Sequence, residues 1–132
     1  MYKVLVFAGT TEGYEVCRFL AAHQVQTMGF VATEYGSKSL MENEYLTVQT
    51  GRLDETAMEQ IFAREEPEMV LDATHPYAAE VTMNIRTACE KTHMPHIQLS
   101  ISSINNRPNI IASQSRNCLS IVMNEFPAFL SK

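Results

Sequence analysis

Five short apolar runs alternate with four helical stretches across brief polar turns, and this alternation narrows the possible folds more than any other feature of the chain. Val4-Leu5-Val6-Phe7-Ala8 is continuous, apolar and rich in β-branched residues, the pattern of a strand buried on both faces of a parallel sheet. Gly9-Thr10-Thr11-Glu12-Gly13 follows at once. Beyond it Val16, Phe19, Leu20 and His23 recur at three- and four-residue steps, which predicts an amphipathic helix. Residues 25–32 read as a second strand and 37–42 as a short helix. Leu46 and Val48, alternating with polar residues ahead of Thr50-Gly51, read as a third strand. Asp54 is placed to cap a helix with Ala57, Met58, Ile61 and Phe62 on one face, stopped by Pro67. Met69-Val70-Leu71 is the fourth strand. Thr74-His75-Pro76 leads into a helix with Ala78, Val81, Ile85 and Ala88 on its buried stripe, Pro76 near the first turn, where no N–H is needed. Ile97, Leu99 and Ile101 alternate as a fifth strand.

Short strand–helix–strand connections imply parallel strands, and right-handed crossovers place the helices on both faces. The expected fold is therefore α/β, a Rossmann-like doubly wound parallel sheet of about five strands. In such sheets ligands bind beyond the carboxyl ends of the strands, where strand order reverses. That rule singles out four loops: residues 9–13, 32–36, 50–54 and 72–77.

Composition bounds the function. With 132 residues, 45% of them hydrophobic, the chain can bury a core without metal or disulfide staples. Its longest apolar run is the five residues of the first strand, against about 20 for a membrane span and about seven for a signal-peptide core, so a cytoplasmic protein is expected. Three cysteines, Cys17, Cys89 and Cys118, are an odd number at no metal-like spacing and read as reduced core thiols. Cys89, His93 and His96 offer three ligands without a neighbouring fourth, so no metal is expected. A net charge of −5 argues against nucleic acid as a partner. The charge is uneven: residues 1–90 hold 14 acidic and 6 basic side chains, net −8, while residues 91–132 hold one acid and 4 bases, net +3. Four serines, four asparagines and Pro108 between residues 102 and 117 mark a linker-like stretch, followed by the apolar, helix-like CLSIVMNEFPAFL of residues 118–130. The expected division is a nucleotide-binding domain over 1–101 and a linker with a C-terminal segment over 102–132. The apolar segment is expected to bury itself in a self-contact or a homodimer.

The first loop joins a strand to a helix N-terminus, where free N–H groups and the helix dipole favour an anion such as a pyrophosphate, and two threonine hydroxyls add donors. It is neither the standard GxGxxG nor a Walker loop, and a glycine turn that only lets strand and helix pack fits it as well. Glu34 stands 21 positions after Gly13, near the spacing at which an acid hydrogen-bonds a ribose 2′-hydroxyl and repels the 2′-phosphate of NADP; a solvated loop glutamate is the alternative. The fourth loop gathers Asp72, Thr74, His75 and Tyr77. His75 could donate a proton or bind a cofactor phosphate or amide, and Tyr77 could stack on a flat ligand. Alternatively Asp72 and Thr74 cap the helix while His75 and Tyr77 pack at its start.

Taken together, VLVFAGTTEGY (residues 4–14), VATEYG (31–36), Gly51-Arg52-Leu53-Asp54 and DATHPYA (72–78) resemble the signature loops of the precorrin-6A reductase family of cobalamin biosynthesis. The resemblance spans residues 1–100 and extends to the helix-like stretch 113–126. It implies hydride transfer from a nicotinamide cofactor to a corrin precursor, and VATEYG looks more like the anaerobic branch, which acts on cobalt-precorrin-6A with NADH rather than NADPH. Carried over by position, Gly9, Thr10, Thr11, Glu12 and Gly13 would cradle the cofactor phosphates. Thr33 and Glu34 would hold the adenosine ribose, and Thr50, Gly51 and Arg52 would form the neighbouring pocket wall. Thr74 and Pro76 would contact the cofactor, and His75 and Tyr77 would be the catalytic candidates at the nicotinamide and substrate edge. Two departures stand out: Ala8 and Tyr14 occupy places where the family commonly has a second glycine and an arginine, and the family's second α/β lobe has no counterpart in these 132 residues. The resemblance thus leaves an alternative to the reductase, a truncated nucleotide-binding module that catalyses nothing unaided. A nucleotide-sensing regulatory domain is a third reading that rests on the fold alone.

Overall fold

The computed structural model describes residues 2–75 and 77–99. Along the chain run β1 (Val4–Ala8), α1 (Thr11–Ala22), β2 (Thr27–Val31), α2 (Glu34–Ser39), β3 (Leu46–Thr50), α3 (Glu55–Glu65), β4 (Met69–Ala73), α4 (Ala79–Thr92) and β5 (His96–Gln98). The five strands form one sheet in the order β3-β2-β1-β4-β5. Every pairing is parallel, with Val6 of the central strand flanked by Gly29 and Leu71.

All five residues of β1 are buried because helices cover both faces of the sheet. Val4, Val6 and Ala8 face Val16, Cys17, Phe19 and Leu20 of α1. Leu5 and Phe7 face Met58, Ile61 and Phe62 of α3 and Ile85, Ala88 and Cys89 of α4. Phe7 stacks on Phe30 at 4.7 Å and meets Phe62 edge-on at 6.1 Å. Phe62 is wholly buried, so truncating it to alanine removes transfer energy and leaves a cavity, at a cost of about 3–5 kcal/mol.

The helix ends follow local chemistry. Thr10 and Asp54 cap α1 and α3, accepting from the N–H groups of Gly13 and Ala57. At the end of α3, Glu66 turns left-handed (φ 45°), and Pro67 cannot continue the helix.

Three expectations are corrected. The short helix lies at 34–39 rather than 37–42, because the Thr33 hydroxyl accepts from the Gly36 N–H at 3.3 Å and starts the helix inside the expected loop. β2 begins at Thr27 rather than Val25, whose N–H bonds the Leu20 carbonyl at the end of α1. His23 is exposed, not buried: it is the C-cap of α1, with Nδ1 2.9 Å from the Phe19 carbonyl. Pro76, Ile101, Cys118 and the segment expected over 102–132 lie outside the described residues. Among the described residues no helix is long and apolar enough to cross a membrane.

Candidate functional site

β1 and β4 are neighbours in the sheet, yet the chain leaves β1 toward β2 and leaves β4 toward β5. The reversal opens a crevice at their carboxyl ends, where ligands of open α/β sheets bind. The first and fourth loops meet there. The Gly9 N–H and the Thr10 hydroxyl both donate to the Ala73 carbonyl, at 3.3 and 2.9 Å. A Cβ built on Gly9 would lie 3.5 Å from Thr74 Cα and 3.7 Å from the His75 nitrogen, in ordinary contact across the crevice floor.

α1 begins at this point. Thr11 and Glu12 occupy its first two helical positions, whose N–H groups have no intrahelical acceptor and carry the positive end of the dipole. Thr10 is differently committed: its hydroxyl donates to Ala73 and accepts from the Gly13 N–H at 3.2 Å. Gly13 is buried, and a Cβ there would stand 3.0 Å from Ala8 Cα and 3.1 Å from Ala73 Cβ. Its bareness lets α1 settle on β1 and β4.

One strand over, Thr33 caps α2 and Glu34 is the first helical residue, exposed at the carboxyl end of β2. Thr50 pairs with Val31, and the Gly51 N–H donates to the Val31 carbonyl at 2.9 Å. Gly51 has φ +123°, open to glycine and strained for other residues, and the exposed Arg52 follows it. Residues 33–34 and 50–52 thus share one side of the crevice.

The fourth loop is built on Asp72, which is only 2% exposed. Its Oδ1 accepts from the Thr74 N–H and hydroxyl at 3.0 and 2.6 Å, and its Oδ2 accepts from the Thr82 hydroxyl at 2.7 Å. Asp72 therefore does not cap α4, whose N-cap Ala78 has no side-chain hydrogen bond. Nor do the next residues pack at the helix start: His75 is exposed and Tyr77 is 89% exposed, their rings 5.0 Å apart. The Tyr77 N–H donates to His75 Nδ1 at 3.2 Å, which in the neutral ring leaves the proton on Nε2.

Three contacts of the site have no spacing signal in the sequence, although Tyr14 and Gly36 lie inside the motifs VLVFAGTTEGY and VATEYG. Thr82 grips Asp72 from ten positions away. A Cβ on Gly36 would come 2.9 Å from Val31 Cβ and 3.2 Å from Tyr14 Oη, so glycine lets α2 close on β2 beneath the Tyr14 phenol. Neither the glycine nor the tyrosine belongs to a helical or strand period. Burial pushes the Cys17 and Cys89 thiols up to about 12, with Asp72 and Glu90 adding to the effect at Cys89, and neither thiol is a nucleophile. A hollow of about 670 Å³ lined by Arg18, Lys38, Met41, Tyr45 and Leu46 lies toward the opposite end of β3 and takes no part in the crevice.

A family model described as precorrin-6x reductase CbiJ/CobK matches residues 3–124. The chain belongs to that family. The cobalt-precorrin-6A reductase of Salmonella typhimurium strain LT2 is 38% identical over 87 residues, covering 66% of this chain and 33% of that protein. The chain spans about a third of the length of the curated relatives it matches (34%, 33% and 36%). A solved CobK precorrin-6A reductase superposes with a TM-score of 0.64 at 27% identity, over 76% of this chain and 39% of that one. Beyond the CbiJ/CobK family, the Bordetella bronchiseptica enzyme WbmG, solved in complex with NAD, superposes with a TM-score of 0.62 over 99% of this chain and 50% of that one. At 16% identity that likeness is one of fold.

Proposed function

We propose that this chain is the dinucleotide-binding lobe of a precorrin-6A reductase, holding NADH in preference to NADPH and serving hydride transfer to cobalt-precorrin-6A in the cytoplasm. The observation that carries the reading is the crevice itself: the open N-terminus of α1 stands between the ends of β1 and β4, with Glu34 one strand away. The residues present fit a dinucleotide. The N–H groups of Thr11 and Glu12 receive the pyrophosphate, helped by the exposed Thr11 hydroxyl, while Gly9, Thr10 and Gly13 shape the turn that presents them. Thr33 accepts from Gly36 and keeps its hydroxyl proton to donate to the adenosine ribose. Glu34 accepts from the ribose hydroxyls, with Thr50, Gly51 and Arg52 as the adjoining wall. A carboxylate about 4 Å from a phosphate charge is repelled by about 1 kcal/mol per charge even at the dielectric of water, which favours NADH. Thr74 stands at the nicotinamide side of the crevice, and Pro76 is assigned to the cofactor by its place in the family's motif alone.

When bound, the nicotinamide supplies the hydride. The chain's part is to orient that ring and exclude water from it. His75, with Nε2–H as donor, and Tyr77 stand at the substrate edge and steady the acceptor macrocycle. Titration calorimetry tests the reading: NADH binding with NADPH weaker by about tenfold is expected, and NADPH binding the tighter would overturn the assignment of Glu34.

One observation favours a second reading, a nucleotide-binding module without turnover of its own. Residues 1–90 carry a net −8, and a polyanionic corrin precursor finds no attractive field there. An anaerobic assay of NADH oxidation with cobalt-precorrin-6A separates the two, since sustained turnover by the chain alone would exclude the module.

A further inference from the structure

We propose that Asp72 and Thr82 are positioning residues that fix the nicotinamide end of the cofactor relative to its phosphates, an inference that rests on the nucleotide reading above. The Asp72 carboxylate, almost wholly buried, receives three hydrogen bonds from two segments. Two come from Thr74, the residue with which the chain leaves β4. The third comes from Thr82, the fourth residue of α4, one turn beyond the point where the chain re-enters regular structure. A single carboxylate thus ties both ends of the loop that carries His75 and Tyr77. Within that loop the bonds are local: Ala78 N–H to the His75 carbonyl at 2.9 Å, and Tyr77 N–H to His75 Nδ1. Val81 anchors the α4 end of that span against the core, while the two rings of the loop stand in solvent.

The next residue along β4 completes the device. The Ala73 carbonyl receives the Gly9 N–H and the Thr10 hydroxyl, so the phosphate loop hangs from Ala73 while the loop with His75 hangs from Asp72. Two consecutive residues of one strand therefore set the separation between the pyrophosphate and the nicotinamide. The Thr74 hydroxyl proton is committed to Asp72 at 2.6 Å, which makes Thr74 a part of the tie before it is a ligand donor. Removing the Thr82 hydroxyl strands Oδ2 in a buried place without a donor and frees the α4 side of the loop.

The test compares two ligands on the intact chain: NADH, and ADP-ribose, which has the same phosphates and adenosine but no nicotinamide. Thr82→Val is expected to weaken NADH about tenfold, leave ADP-ribose within twofold, and reduce the change in nicotinamide fluorescence on binding. Thr82→Ser, which keeps the hydroxyl, is expected to restore all three. Should Thr82→Val not fold, Thr82→Ala, which raises helix propensity, takes its place with the same expected split. Equal weakening of NADH and ADP-ribose, or unchanged NADH affinity, would overturn the positioning role while leaving the nucleotide reading intact. Failure of the unaltered chain to bind either ligand would instead overturn the nucleotide reading, and the positioning role with it.

Discussion

The hydroxyl of Thr10 donates to the carbonyl of Ala73 across 2.9 Å, stapling the end of β1 to the end of β4 while the same oxygen caps α1. Its replacement should therefore show first in stability. Thr10→Ala loses a cap and a staple, each about 1 kcal/mol, and should lower the unfolding free energy by about 2 kcal/mol in urea denaturation, with Thr10→Ser close to the parent. A Thr10→Ala protein of unchanged stability that no longer binds NADH would mean that the hydroxyl meets the phosphate directly.

Two glycines of the same loop should behave differently. A Cβ at Gly13 would press on Ala8 at 3.0 Å, so Gly13→Ala should destabilise the fold by about 1–3 kcal/mol through overpacking. At Gly9 a Cβ meets only ordinary contacts, so Gly9→Ala should fold normally, and Gly9→Val should fold yet fill the crevice and abolish NADH binding. Melting curves read alongside calorimetry distinguish the pair; normal NADH binding by folded Gly9→Val would reduce the loop to a structural turn.

Replacing Glu34 by Ala should narrow the preference for NADH over NADPH by about fivefold, the removal of roughly 1 kcal/mol of repulsion. The measurement is the ratio of the two dissociation constants at fixed ionic strength. A ratio that does not move assigns the discrimination elsewhere on the β2–β3 side.

The buried thiols make stability fall in alkali. Cys17 and Cys89 have folded-state values raised from 9.0 to about 12. Their contribution is complete below pH 9 and is lost as pH rises from 9 toward 12, because the unfolded chain ionises first. Denaturation midpoints should drop steadily above pH 9, and Cys17→Ala should flatten that drop. At pH 8 a thiol reagent should label no more than one of the three cysteines until the chain is unfolded.

Local patterns carried much of the fold. β1 was legible because a strand covered on both faces needs every residue apolar, and Asp54 because a capping acid ahead of an apolar period admits few other readings. α2 was not, since six residues around a buried glycine hold too little periodicity to place a helix. In the site, the loops after β1 and β4 were readable from glycine and from the density of polar groups. The tie between Asp72 and Thr82 was hidden, because it joins a strand end to a helix side and follows no spacing rule within either. The strand order, too, belongs to long-range pairing; alternation predicts a doubly wound sheet, but it took the paired strands to put β1 between β2 and β4.

Of the five described strands, the first in chain order is the one that sits in the middle. β1 gains its β2 neighbour only when residues 27–31 exist, and its other edge stays bare until residues 69–73 follow from the ribosome. Through that interval a nascent chain displays five consecutive uncharged, strand-prone residues with unpaired backbone, the kind of segment through which half-made proteins recognise one another and clump. Lys3 just ahead of the run and Glu12 just beyond it put a charge at either end, and these two exposed or half-exposed side chains guard the segment before any of the sheet is there to shelter it.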